Sequence, residues 1–225
     1  MRIRSRWLGI GLGIGLLLVA LTTAYATGSG KGPFVNPDAG QSDAQRNAHY
    51  SNLRASFDAH YAHWVANLDV STINLNSLPH EQMNVLVVPG QPTLQAARSK
   101  ADRIIIGTVD GLKPTVSGTL VSLSVGRSLK GVASANLTVR QASGLRPTQD
   151  WKGVYIADSP GEPLLLPGTR VELFLQISSD GVAEIQSITG MYYLTDSRVK
   201  ALDLNPFAGS VNGQSESEFA AATAP

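Results

Sequence analysis

Four histidines, His49, His60, His63 and His80, are the side chains of this sequence best suited to proton transfer or metal ligation. His60 and His63 form an H-x-x-H pair, neighbours on a helix, with His49 on nearly the same side. A competent metal site needs three or four ligands and a second shell, and cysteine is absent from the chain. These imidazoles are therefore expected to be polar flank residues, with no metal and no cofactor. The alternative is a metal-binding protein or hydrolase that sets His60 and His63 against carboxylates elsewhere. No G-x-S-x-G elbow supplies a serine nucleophile, and no P-loop supplies a phosphate cradle. Asp102, Asp110, Asp158, Glu162, Asp180 and Asp196 fall at strand ends or turns, where acids are solvated or bond their own backbone. Asp102 is assigned to structure, as a cap or turn for the short helix before it. No catalytic residue is assigned and the chain is not expected to be an enzyme.

The elements that would hold these residues begin with a helix. Ser42-Asp43-Ala44-Gln45 has the S-x-x-Q form of a capping box, so a helix should start there and run to about residue 68. Tyr50, Leu53, Phe57, Tyr61, Trp64 and Leu68 follow at steps of three or four and share one stripe. A stripe this aromatic must be covered by the rest of the chain, a partner or a membrane surface; packing on the chain's own β domain is the expectation. Val85-Leu86-Val87-Val88, between prolines, reads as an edge strand or packed connection, and residues 92–100 as a brief helix.

From 101 to 194 the pattern turns to strands. Ile104-Ile105-Ile106 is continuous and β-branched, as in a strand buried on both sides, and Gly107 suggests a bend or bulge. Val121, Leu123 and Val125 alternate with Ser122 and Ser124; Leu137 and Val139 alternate with Thr138 and Arg140. Val154-Tyr155-Ile156 ends at the turn Asp158-Ser159-Pro160-Gly161. Val171, Leu173, Leu175 and Ile177 share a face opposite Glu172 and Gln176, Ser179-Asp180-Gly181 is a hairpin turn, and Met191 to Leu194 pairs once more. Short strands at this spacing argue for a small barrel or sandwich.

Residues 1–26 join a basic start (Arg2, Arg4, Arg6), an uncharged apolar run and the small-residue end Ala24-Tyr25-Ala26. That is a secretory signal peptide, or, if uncleaved, a single membrane anchor; either way the rest of the chain is exported. A flexible spacer covers 27–41, the helix and its connection 42–94, the β domain 95–195, and a largely disordered tail 196–225. Setting aside the three N-terminal arginines, 15 basic residues face 17 acidic ones. So small a balance gives no footprint for nucleic acid.

The order Ala101-Asp102-x-Ile-Ile-x-Gly107-x-Val109, then a strand ending Leu129-Lys130-Gly131, then Pro167-Gly168 before Val171-Glu172-Leu173-Phe174-Leu175, resembles uncharacterised exported bacterial proteins whose domain looks like the OB-fold module of netrin-type domains and tissue inhibitors of metalloproteinases. The resemblance implies a five-stranded Greek-key barrel with a groove over its open face. Inhibition does not carry over, because that family chelates zinc through an N-terminal cysteine and this chain has none. The expected fold is mainly β, an OB-type barrel with an N-terminal amphipathic helix and a signal or membrane segment. The expected role is a non-enzymatic binding module of the cell envelope, its partner a protein or envelope ligand. Tyr50, Phe57, Tyr61, Trp64, Tyr155 and Phe174 are the candidate contact residues.

Overall fold

A computed structural model describes residues 40–84 and 90–224. The expected signal or anchor, most of the spacer and the Val85–Val88 run lie outside the described residues. Among the described residues no helix is long and apolar enough to cross a membrane. The chain divides into two units: one holds the described residues up to His60 together with Pro147–Gly153, the other Tyr61–Arg146 and the chain from Val154 onward.

In the first unit, the helix Asp43–Asn67 begins where the capping box placed it. The Ser42 N–H donates to Gln45 Oε1 at 2.9 Å and the Gln45 N–H to Ser42 Oγ at 3.3 Å, so both side chains satisfy orphan amides of the first turn. Residues 147–153 form a turn in which Trp151 takes a left-handed backbone, φ 59°, held by its N–H donating to Thr148 O at 2.8 Å. The indole then lies against Phe57, centroids 5.9 Å apart, and His60, at 4.1 Å.

The second unit is built on ten strands: β1 (His80–Gln82), β2 (Arg103–Thr115), β3 (Gly118–Lys130), β4 (Asn136–Gln141), β5 (Gly144–Pro147), β6 (Val154–Asp158), β7 (Arg170–Ile177), β8 (Ala183–Ile185), β9 (Met191–Thr195) and β10 (Arg198–Ala201). The last residue of β5, Pro147, falls in the first unit. Five strands close a barrel in the order β2-β3-β4-β8-β7 and back to β2. All its pairings are antiparallel except β4 with β8. Arg140 of β4 clasps that short seam, donating to Glu184 Oε1 at 2.9 Å and to the Asp180 carboxylate, which holds Asp180 below the usual carboxylate range. The β7–β8 hairpin turns at Gly181, φ 82°, where the left-handed backbone suits glycine. β9 and β10 extend the sheet beyond β7, and β1-β6-β5 form a separate three-stranded sheet.

Hydrophobic residues divide into three clusters. Inside the barrel pack Ile105, Val109, Val121, Leu123, Val139, Val171, Leu173 and Leu175, the inward half of each alternating run. The other face of β2 and β7, with Ile104, Ile106 and Phe174, is also buried, beneath Tyr192, Phe207, Val211 and Phe219. Here the expectation of a disordered tail over 196–225 is corrected. After β10 come the helices Ala208–Val211 and Glu216–Thr223, the second opened by a complete capping box between Ser215 and Glu218. Phe207, Val211 and Phe219 stand isolated in the sequence, but each finds the same outer face of the sheet, and its burial offsets the entropy of ordering the chain. The third cluster, Leu75, Leu145, Ile156 and Leu164, lies on the three-stranded sheet and receives Trp64, Leu68 and Leu112.

Gly107 in β2 has its expected consequence. A Cβ on Gly107 would stand 2.9 Å from Ser124 O, so β2 and β3 approach there too closely for any side chain. Ile106 pairs Arg127 while Gly107 pairs Val125, which leaves Gly126 as the extra residue of a β-bulge. Asp102 does not cap the short helix Leu94–Lys100. Its carboxylate accepts the Ile177 N–H at 2.8 Å and ties the start of β2 to the end of β7.

Candidate functional site

The aromatic candidates do not form one site. Phe174 is fully buried, 5.4 Å from Tyr192, and as a core residue it cannot be a contact surface: Glu172 on the same side of the strand suggested an open face, but the C-terminal helix covers that face. Tyr61 is buried as well. Its hydroxyl donates to Leu145 O at 2.9 Å and accepts from Arg146, whose guanidinium lies 4.9 Å over the ring. Trp64 stacks on Tyr61, centroids 5.4 Å apart. Tyr155 lies partly buried in β6 on the same small sheet, where burial and Glu81 raise the pKa of its hydroxyl. Tyr50 and Phe57 remain on the exposed first part of the helix. At the C-terminal end of the stripe Trp64 and Leu68 pack on the small sheet's apolar cluster.

The histidines are likewise dispersed. His49 meets Tyr50 edge-on, His60 rests on Trp151, and His63 lies 3.4 Å from Asn67 Nδ2. Among the described residues no group of three His, Asp or Glu side chains is placed to hold a metal. His80 has a defined partner that its sequence position did not suggest. Its Nδ1 lies 2.7 Å from Asp158 Oδ2, and Asp158 Oδ1 accepts the Leu164 N–H at 3.0 Å. The carboxylate is nearly inaccessible and the imidazole half exposed, so the ring is oriented from beneath. Parallel pairing of β1 with β6 brings the two together.

A groove of about 430 Å³ lies on the outer wall of the barrel, across β2 and β3 beside the helix Glu216–Thr223. That is the size of an ordinary small-ligand cleft. Gly107 and Gly126 of the bulge line it together with Thr108, Ser124, Arg127, Arg170 and Glu216. Ser124 Oγ donates to Asp110 Oδ2 at 2.7 Å. Arg170 is committed to Glu216, donating through both terminal nitrogens, one of them at 2.6 Å, and this pairing raises its pKa. Arg127 is exposed and has no ion-pair partner among the described residues. Beneath the helix, fully buried Glu172 accepts from Thr223 Oγ1 at 2.6 Å, and its second oxygen has no partner among the described residues. Burial pushes this carboxyl up to about 7, with Glu216 adding to the rise and Arg127 opposing it. Glu162 is also pushed up to about 7 by burial, but its neighbours are Ala142, Gln141 and Glu184. The two perturbed acids therefore do not face each other as an acid–base pair would.

Sequence reasoning missed the groove because it is made of one bulge and two arginines from different strands, none of them in a motif. Gly107 is the one readable signal. Comparison with family models finds no match, and comparison with curated proteins finds none either.

Proposed function

We propose that this chain is an exported, non-enzymatic binding module of the cell envelope, with an OB-type barrel as its scaffold and the β2–β3 groove as its site. The scaffold reading is supported by the ring order, in which the first barrel strand pairs with the second and fourth while the third runs parallel to the fifth. The observation that carries the function is the groove's inventory: two hydroxyl residues, two arginines and a glutamate beside the bulge, whose hydrogen-bonding groups can fix a ligand's orientation. The location is supported by the resemblance to exported OB-type proteins and by the signal-like N-terminus.

Gly126 gives a direct test, because a Cβ there meets nothing nearer than Ile106 O at 3.8 Å and points into accessible space. Gly126→Tyr should fill the groove with little change in melting temperature. Binding of the full chain to purified envelope fractions, polysaccharide, peptidoglycan fragments and lipid, is then measured for both proteins. Loss of binding in the variant at unchanged stability is the expected result; wild-type binding by the filled variant would move the site elsewhere.

A further inference from the structure

We propose that the groove takes an anionic group, a carboxylate or a phosphate carried on a hydroxyl-bearing molecule, and that Arg127 is the residue that meets the charge. This inference rests on the groove being the binding site. Two arginines reach the groove and only one is already matched: Arg170 is held by the Glu216 carboxylate through both nitrogens. Arg127, its neighbour across the groove, makes no ion pair among the described residues. A planar guanidinium whose fork of donors has no hydrogen-bond partner among the described residues fits the two oxygens of a carboxylate or phosphate. Ser124 and Thr108 supply hydroxyls on the same wall, and Ser124, whose proton goes to Asp110, presents lone pairs to a ligand hydroxyl. The groove's volume of about 430 Å³ suits a sugar acid or polyol phosphate.

The charges around the groove give the inference a signature. Arg127 comes from β3, Arg170 and Glu172 from β7, Glu216 from the C-terminal helix, and the Tyr192 hydroxyl from β9 lies within electrostatic reach of Glu172. With Arg170 and Glu216 cancelling each other, the balance is set by Arg127 against Glu172 and against the Asp110 carboxylate bonded to Ser124. A neutral Glu172 leaves the groove more positive; an ionised one opposes Arg127. Affinity for an anion should therefore fall as pH rises through about 7.

The test is a titration of the isotopically labelled full chain with glycerol 3-phosphate, galacturonate and galactose at constant ionic strength, followed through the amide resonances of residues 124–127. The expected result is saturable movement of those amides by one or both anions, with galactose much weaker. Which anion saturates at lower concentration tells a phosphate source from a uronic one. Arg127→Gln should weaken the anion by about tenfold or more while leaving the remaining spectrum in place, and Arg127→Lys should recover part of the loss. Glu172→Gln should flatten the pH dependence of affinity. Equal binding of galactose and galacturonate, or unchanged anion binding by Arg127→Gln, overturns the anionic assignment and leaves the groove as a site. No saturable movement with either anion overturns it too; the groove reading itself is judged separately by Gly126→Tyr.

Discussion

Glu172→Gln should stabilise the protein by roughly 2–3 kcal/mol at pH 8 and change little below pH 4.5, a tenfold difference in proton affinity being worth about 1.4 kcal/mol. The carboxyl is fully buried, one oxygen lacks a partner among the described residues, and its pKa is raised from 4.5 to about 7. A raised folded-state value means that the protonated form is the one that folding favours. Its advantage is complete below 4.5, the ordinary value, is lost progressively up to about 7, and is gone above. Glutamine keeps the acceptor for Thr223 and cannot ionise, so it escapes the loss. Urea unfolding of both proteins across this range checks the sign. Glu162 titrates in the same window, so the variant should retain about half of the wild-type pH slope, the two acids being raised alike. A difference between wild type and variant that is constant with pH would remove Glu172 as the titrating group.

Phe219→Ala should cost about 3–4 kcal/mol, the usual range for deleting a buried phenyl ring. Phe219 is fully buried, its ring 4.7 Å from that of Tyr192, and together with Phe207 and Val211 it covers the outer face of β2 and β7. Neighbouring exposed positions on the same helix, Ala221 and Ala222, should tolerate substitution with little change. Chemical denaturation distinguishes this layer from a loose tail: a loss below about half a kcal/mol for Phe219→Ala, the level of ordinary surface substitutions, would mean that the C-terminal helix does not support the sheet.

The strands were legible because their period is strong. Val121 and Leu123 alternate with Ser122 and Ser124, and the structure puts the first pair inside the barrel and leaves the serines outside it. Ile104 to Ile106 read as buried on both sides, and each side has its own core. The capping box placed the helix start. What did not read through was whatever depended on distant segments meeting. Phe207, Val211 and Phe219 have no common period, so nothing local announced that they cover one face. That same cover explains why Glu172 and Phe174, on one side of a strand whose other side is apolar, are both buried when alternation suggested an exposed face. His80 meets Asp158 only through a parallel pairing of β1 with β6, and Arg127 shares its groove with Arg170 and Glu216 from two other elements. Spacing along the chain carries no information about such meetings.

Strand β2 is a wall common to two cores, with Ile105 and Val109 turned to one and Ile104 and Ile106 to the other. Loosening either side removes half of the packing that keeps this strand in place. The outer layer and the barrel are thereby expected to unfold as a single cooperative unit. A change in the C-terminal helix is therefore expected to reach the Gly107 bulge, since Glu216 of that helix and Gly107 line the same groove.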